Sequence, residues 1–161
     1  MFVDIKSLPE TSKVWIYQSN RELLDDEVIK ISEILKKFVE HWNHHGEGMK
    51  SSFVIKYNQF IVIINDESYA NASGCSIDSS VQTLKKIEKE FNIELFDRMK
   101  TAFKIGDNVN IVSLSDFKKY VDEGKINSDT IVFNNMIDNL NDFNTKWEVP
   151  VKNSWQKRYF N

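Results

Sequence analysis

The chain has 161 residues, of which 41% are hydrophobic and 12% aromatic, and its formal net charge is −3. This length and apolar content suit one globular domain with a sizeable core, and the mild acidity gives no reason to expect nucleic acid as a partner through bulk electrostatics. A single cysteine excludes an internal disulfide, and the longest apolar run, from Phe60 to Ile64, is far too short to span a membrane.

The N-terminus and the cysteine content favour a cytoplasmic protein. The first residues, MFVDIKSLPETSK, lack the basic start and the apolar stretch of a secretory signal. One cysteine without a partner fits a reducing compartment. We therefore expect a cytoplasmic location and no association with a membrane.

The first strand and the first helix are predicted by clear patterns. Residues 13–18, KVWIYQ, are β-branched or aromatic and apolar on both faces, which predicts a strand that lies inside a sheet. Apolar residues at alternating steps of three and four predict a helix over residues 25–42. Asp25 is expected to accept from the free N–H groups of its first turn.

A hairpin and a second helix follow. Residues 52–64 predict a β-hairpin with its turn at 58–59, and the second strand is apolar on both faces and is expected inside the sheet. The turn sequence is Asn-Gln, and glutamine is a poor second residue for a two-residue turn, which leaves a longer loop open. Residues 76–91 have the apolar spacing of a helix, with Ser76 or Asp78 as its cap.

The last part of the chain is less regular. We predict strands over residues 109–114 and 130–133, with a short helix over 115–124 between them. Helical spacing recurs between Met136 and Trp147, within a segment rich in asparagine, and the tail after it is expected to be extended or irregular.

The order of these elements predicts an α+β fold. The order β-α-β-β-α, completed by a strand near 101–105 or 109–113, would form a split βαβ (ferredoxin-like) core. We therefore expect a single globular domain over residues 1–161, made of a core over 1–105 and a C-terminal extension over 106–161. The extension would add an appended strand-helix-strand segment packed on the core.

The loop over residues 66–78, DESYANASGCSID, is the first candidate site. It holds the only cysteine, Cys75, at or just before the N-terminus of the second predicted helix. Free N–H groups and the helix dipole at that place stabilise an anion such as a thiolate. Cys75 is therefore the candidate catalytic residue of a cysteine-dependent enzyme or redox protein.

The same loop can instead bind a small anion or a nucleotide. Glycine would allow close approach of the backbone, serine hydroxyls would donate, the acidic pair could act as general base or metal ligand, and an arginine could neutralise the ligand or form an ion pair with the loop. These candidate ligand-binding residues are Asp66, Glu67, Ser73, Gly74, Ser76, Asp78 and Arg98. The simpler interpretation is a well-capped turn in which the cysteine is a small buried hydrophobic residue.

The sequence excludes a phosphate loop and leaves a zinc site open. A phosphate loop requires G-x-x-x-x-G-K-[ST], but the only Gly-Lys pair, Gly124-Lys125, is followed by Ile126, which excludes a P-loop ATPase. His41 and His45 are four residues apart and would share a face if the helix continued that far, so they are candidate zinc ligands, while the alternative is a polar helix end. We expect no cofactor.

Three stretches resemble a family of short bacterial proteins over nearly the whole chain. They are S-K-V-W-I-Y-Q-S-N-R, D-E-S-Y-A-N-A-S-G-C-S-I-D-S-S-V and V-P-V-K-N-S-W. Members of this family are often labelled "ABC transporter ATPase", although the phosphate loop is missing here. The resemblance implies a bacterial, cytoplasmic, stand-alone protein of unknown function and assigns no catalytic residues. The stretch Y-V-D-E-G-K-I-N-S-D-T-I-V-F (120–133) is also similar to small GYF-type peptide-binding modules, but the G-Y-F signature is absent.

The leading functional hypothesis is a non-enzymatic binding or interaction protein with a protein partner. The chain has no specific catalytic motif and is rich in aromatic residues. Exposed Trp or Phe side chains in the C-terminal third would support it, because contiguous apolar surface marks partner sites. Against that, we expect Trp155, Tyr159 and Phe160 to pack back onto the core. The alternatives are chemistry at Cys75 or anion binding by the loop 66–78.

Overall fold

Helices and antiparallel sheets alternate through the computed structural model, which describes residues 1–160. In chain order the strands and α-helices are β1 (Lys13–Gln18), α1 (Asp25–His41), β2 (Asn43–His44), β3 (Glu47–Gly48), β4 (Ser51–Lys56), β5 (Phe60–Asn65), α2 (Gly74–Phe91), β6 (Lys100–Ile105), β7 (Asn108–Ser113), α3 (Leu114–Asp122), β8 (Ile131–Phe133), α4 (Leu140–Lys146) and β9 (Glu148–Pro150). Short 3₁₀ helices cover Ile5–Ser7, Val151–Asn153 and Trp155–Phe160. The predicted α+β class is confirmed.

The first sheet has three antiparallel strands in the order β1-β5-β4. Strand β5 lies in the middle, as predicted, and all of its residues are buried. Strand β1 lies at the edge, so the prediction that it lies inside the sheet is wrong. Its residues are apolar on both faces because both faces are covered: Trp15 and Tyr17 pack towards the helices, and Val14 and Ile16 pack towards the second sheet. Burial of the two faces does not determine whether a strand has two neighbours.

Helices α1 and α2 cover one face of this sheet. Leu35 of α1 and Leu84 of α2 are fully buried in the same cluster as Ile61 and Ile63 of β5. Helix α2 begins at Gly74, earlier than predicted, and its cap is therefore Ser73 rather than Ser76 or Asp78. None of the helices within residues 1–160 is long and apolar enough to cross a membrane.

The turn between β4 and β5 is longer than two residues, the possibility that its sequence left open. Tyr57 and Asn58 both have positive φ, at 55° and 50°. Gln59 is buried, and its side-chain amide donates to the carbonyl of Ser19 at 2.7 Å. This bond fixes the turn against the segment that follows β1.

The strand after α2 does not join the first sheet. Strand β6 instead pairs with β7 and β8 in a second antiparallel sheet of four strands, in the order β7-β6-β8-β9. The first three strands follow the expected order, but the ferredoxin-like unit lacks its fourth strand. The place beside β1 is partly taken by a loop, since the N–H of Val14 donates to the carbonyl of Asp138 at 2.9 Å.

A tight turn explains this correction. Ile105 pairs with Asn108 across Gly106, which has a φ of 60°, and Asp107. Such a two-residue turn pairs one edge of β6 with the strand that follows it at once, and β8 pairs with the other edge, so β6 has no edge left for β1. The second sheet therefore begins at Lys100, and the expected division into a core over 1–105 and an extension over 106–161 separates two paired strands. The strand-helix-strand order β7-α3-β8 is present within this sheet.

The two sheets share one buried cluster. Phe60, Val62 and Ile64 of β5 meet side chains from the second half of the chain. The buried members from that half are Ala102, Phe133, Leu140, Phe143 and Trp147. A further cluster below α3 and the C-terminal 3₁₀ helix contains Phe103, Phe117, Ile126, Val132 and Val151.

Candidate functional site

The two carboxylates of the loop 66–78 are engaged in folding the loop. Asp66 is buried and accepts from the N–H of Ser68 at 3.0 Å and from its hydroxyl. Glu67 accepts from the N–H of Ala72 at 3.2 Å and from the amide of Asn65 at 3.4 Å. These bonds make the loop a self-bonded turn that brings the chain from β5 to α2.

The other predicted loop residues lie at the start of α2, where two serines are hydrogen-bonded and the remaining residues are exposed. Ser73 accepts from the N–H of Ser76 at 3.2 Å. Ser76 is buried, and its hydroxyl and carbonyl are bonded to Ser73 and to the indole of Trp42 respectively. Gly74, Cys75 and Asp78, by contrast, are exposed. A Cβ placed on Gly74 would meet nothing within 4 Å, so the surface beside it is open.

We expect Cys75 to react in the folded protein. Its thiol is exposed on the first turn of α2, so a maleimide should label it without denaturant, giving one adduct on intact-mass measurement. Cys75→Ser is the matched control and should give no adduct. Labelling that requires unfolding would contradict the exposed position and would favour the buried-hydrophobic interpretation.

Arg98 and the two histidines do not join the loop carboxylates. Arg98 is exposed and forms no ion pair with Asp66 within residues 1–160. Helix α1 ends at His41, and His45 lies in the following turn with a φ of 50°, so the helical spacing that would pair the two rings is not formed. In the described part of the chain, no group of three or more His, Cys, Asp or Glu side chains could bind a metal ion.

A cavity near the C-terminus was not predicted. It has a volume of about 440 Å³ and lies between β8, the end of α4, β9 and the last 3₁₀ helix. Its lining residues are Phe133, Asn134, Lys146, Val149, Asn153, Ser154, Trp155 and Gln156. The buried amide of Gln156 donates to the hydroxyl of Thr101 at 3.1 Å, which fixes this segment against β6.

The C-terminal aromatic residues divide between core and surface. Tyr159 packs against the cluster of Phe117, with ring centroids 5.7 Å apart, as expected. Trp155 is 50% exposed and Phe160 is 39% exposed, so the expectation that they pack onto the core is wrong. The 3₁₀ helix places successive side chains on different sides, and only one side meets the core.

No family model, no curated protein and no solved structure matches this chain. The resemblance to short bacterial proteins and the similarity to GYF-type modules therefore stay predictions.

The surroundings of the cavity are basic and aromatic. Lys146 lines it and forms a surface ion pair with Asp142 at 3.3 Å. The guanidinium of Arg158 lies 5.4 Å from the centre of the Trp155 ring and 5.3 Å from that of Tyr159. Arg158 forms no ion pair within residues 1–160. The sequence W-Q-K-R-Y (155–159) combines basic and aromatic residues and could have indicated this patch.

Three titratable side chains, Tyr57, Lys104 and Glu148, meet between the two sheets. The ammonium of Lys104 and the hydroxyl of Tyr57 both contact the carboxylate of Glu148, the hydroxyl at 2.8 Å. Burial would raise the pKa of Glu148, but the hydrogen bonds and charge from Lys104 together lower it. The hydrogen bond to Glu148 raises the pKa of Lys104. Since these polar groups satisfy one another, the cluster fastens the turn between β4 and β5 to the second sheet.

Proposed function

We propose that this chain is a non-enzymatic binding protein that holds a segment of a protein partner at the C-terminal cavity. The observation behind this proposal is Trp155, which is 50% exposed at a cavity of about 440 Å³. Cavities of roughly 300–1,000 Å³ accommodate ligand groups, and exposed tryptophans are frequent hot spots of interfaces. Trp147, by contrast, is 2% exposed, so Trp155 is the tryptophan of this region whose ring a partner can reach.

The chemistry of the lining supports binding rather than catalysis. The side-chain amides of Asn134 and Asn153 can bond to the backbone of a bound segment, and Phe133 and Val149 offer apolar contact. No carboxylate, histidine or cysteine is among the lining residues, so the cavity offers neither a general acid–base pair nor a thiol nucleophile. The lone cysteine of the chain further supports a cytoplasmic location for this activity.

A selection of peptides would test the proposal. We expect a displayed random-peptide library to yield an enriched consensus on the immobilised protein. Selected peptides should bind the Trp155→Ala variant at least about tenfold more weakly, since truncating a hot-spot residue costs about 2 kcal/mol or more. Cys75→Ser, which lies on α2, is the control and should bind them normally. Peptides that bind equally to the Trp155→Ala variant, or the absence of enrichment, would contradict the proposal.

The exposed thiol of Cys75 supports a second candidate, a cysteine-dependent enzyme or redox protein. Such a protein needs a base or a cation beside its thiol. An activated thiolate would be alkylated by iodoacetamide much faster than the thiol of the unfolded chain at the same neutral pH. Equal rates in the folded and unfolded protein would exclude this candidate.

A further inference from the structure

We infer that the segment bound at this cavity is an acidic peptide, with an apolar anchor side chain flanked by aspartate or glutamate. The inference rests on the proposed function and names the chemistry of the partner. The apolar anchor follows from Phe133, Val149 and Trp155, which supply the apolar part of the lining. The acidic flanks follow from the charges around it.

Two cations at this place, Lys157 and Arg158, form no ion pair within residues 1–160, although the whole chain is acidic, with a formal net charge of −3. Residues 151–160 include Lys152, Lys157 and Arg158 and no aspartate or glutamate. Lys152 pairs with Asp129, and Lys146 pairs with Asp142, in both cases through exposed lysine side chains. Exposed pairs of this kind contribute little, so their lysines can exchange a protein carboxylate for one of the ligand.

Arg158 is the residue best placed to recognise a carboxylate beside the anchor. Its guanidinium lies over the ring of Trp155, which lines the cavity, and it has no ion pair within residues 1–160. A guanidinium stacked on an aromatic ring keeps its planar edge free for bidentate bonds to a carboxylate. An anchor side chain beside Trp155 would therefore have a cation next to its acidic neighbours.

The same basic and aromatic residues do not form a track for single-stranded nucleic acid. Such a track needs several rings for successive bases along a continuous basic groove. Here Tyr159 packs against Phe117, which leaves Trp155 and Phe160 as the exposed rings of this segment, fewer than a track for successive bases needs. The amide side chains of Asn134 and Asn153 also suit the alternating donors and acceptors of a peptide backbone.

Fluorescence anisotropy with designed probes would test the inference. The probes are a fluorescein-labelled peptide with one tryptophan flanked by glutamates, the same peptide with glutamines, and an oligothymidylate. We expect the glutamate peptide to bind at least about tenfold more tightly than the glutamine peptide at low salt, and the difference to shrink as salt is added. Arg158→Glu should remove about tenfold of the affinity for the glutamate peptide.

A matched variant controls for net charge. Lys86→Glu also reverses a positive charge, at an exposed site on α2. The buried residues of α2 pack with α1 and the first sheet and do not line the cavity, so this variant should leave binding unchanged. Because Arg158 is exposed, the Arg158→Glu variant should fold normally, with the far-UV circular dichroism of the wild type.

The other outcomes overturn the inference in distinguishable ways. Equal binding of both peptides that is lost in Trp155→Ala overturns the acidic partner but leaves the proposed function. Tighter binding of the oligothymidylate, lost in Arg158→Glu, replaces the peptide with single-stranded nucleic acid. Absence of binding by the glutamate peptide overturns the inference, and peptide affinity that does not depend on Trp155 overturns the proposed function as well.

Discussion

Replacing Trp147 with alanine is expected to lower the free energy of unfolding by about 3–5 kcal/mol, the usual effect of removing a large aromatic side chain from a core. Trp147 is 2% exposed, and its ring lies 4.9, 4.8 and 4.9 Å from the ring centres of Phe60, Phe133 and Phe143. Its indole N–H donates to Asn135 at 2.9 Å. The variant loses contacts to both sheets at once and leaves a cavity between them.

Urea unfolding followed by far-UV circular dichroism would measure this loss. The matched control is Trp155→Ala, which removes the same side chain from a half-exposed position and should change stability by about 0.5 kcal/mol or less. A similar loss in both variants would show that the cluster around Trp147 does not join the sheets as described. Since a domain is stable by only about 5–15 kcal/mol, the Trp147→Ala variant should also unfold at a clearly lower temperature.

Glu27 is expected to make stability depend on acid pH. Arg21 donates to its two carboxylate oxygens at 2.8 Å each, and the N–H of Leu24 donates at 2.9 Å. These bonds, with that from Arg21 the largest cause, lower the pKa of Glu27 from 4.5 to about 2. Arg21 also donates to the carbonyl of Phe91 at 2.8 Å, so the pair links the start of α1 to the end of α2.

The sign of the effect follows from the lowered pKa of Glu27. Because the folded pKa lies below the unfolded one, the stabilisation is fully present above pH 4.5 and is lost as the pH falls towards 2. A tenfold difference in proton affinity between the folded and unfolded states corresponds to about 1.4 kcal/mol of stability. Since Arg21 is partly exposed to solvent, which screens the pair, we expect a contribution of about 1–2 kcal/mol.

The variant Glu27→Gln tests this contribution. Glutamine keeps an oxygen for the N–H of Leu24 and removes only the charge, so the variant should be less stable than the wild type by about 1–2 kcal/mol near pH 7. The difference should shrink as the pH falls from 4.5 towards 2, where about half of the wild-type carboxylate is protonated. Glu22→Gln, a neighbouring exposed position, is the control. A difference that stays constant with pH would contradict the ion pair as its source.

The sequence predicted elements better than it predicted their partners. The bounds of β1 and the start of α1 agree with the structure because apolar periodicity and β-branched composition act within a few neighbouring residues. The sheet to which β6 belongs depends on a choice between a local and a distant strand. The sequence around Gly106 indicated the local strand. A glycine followed by aspartate, between two stretches in which apolar and polar residues alternate, is typical of a tight hairpin.

The candidate site was predictable only in part. Loop 66–78 does lead into a helix, and Cys75 does lie on its first turn, because serine and glycine at a strand–helix junction are local signals. The engagement of Asp66 and Glu67 by nearby N–H groups depends on loop geometry that the sequence does not show. The cavity at Trp155 combines segments around Phe133, Lys146 and Gln156, and only the folded chain brings them together.

The buried face of β5 has a consequence for synthesis of the chain. Phe60, Val62 and Ile64 are covered by side chains that include Phe143 and Trp147, which leave the ribosome much later. Until then the growing chain exposes an apolar strand of high β-propensity and low charge, the kind of segment that aggregates between chains. A fragment that ends at Ile105 should therefore accumulate as insoluble material. The nascent chain should depend on a chaperone until its last strand is made.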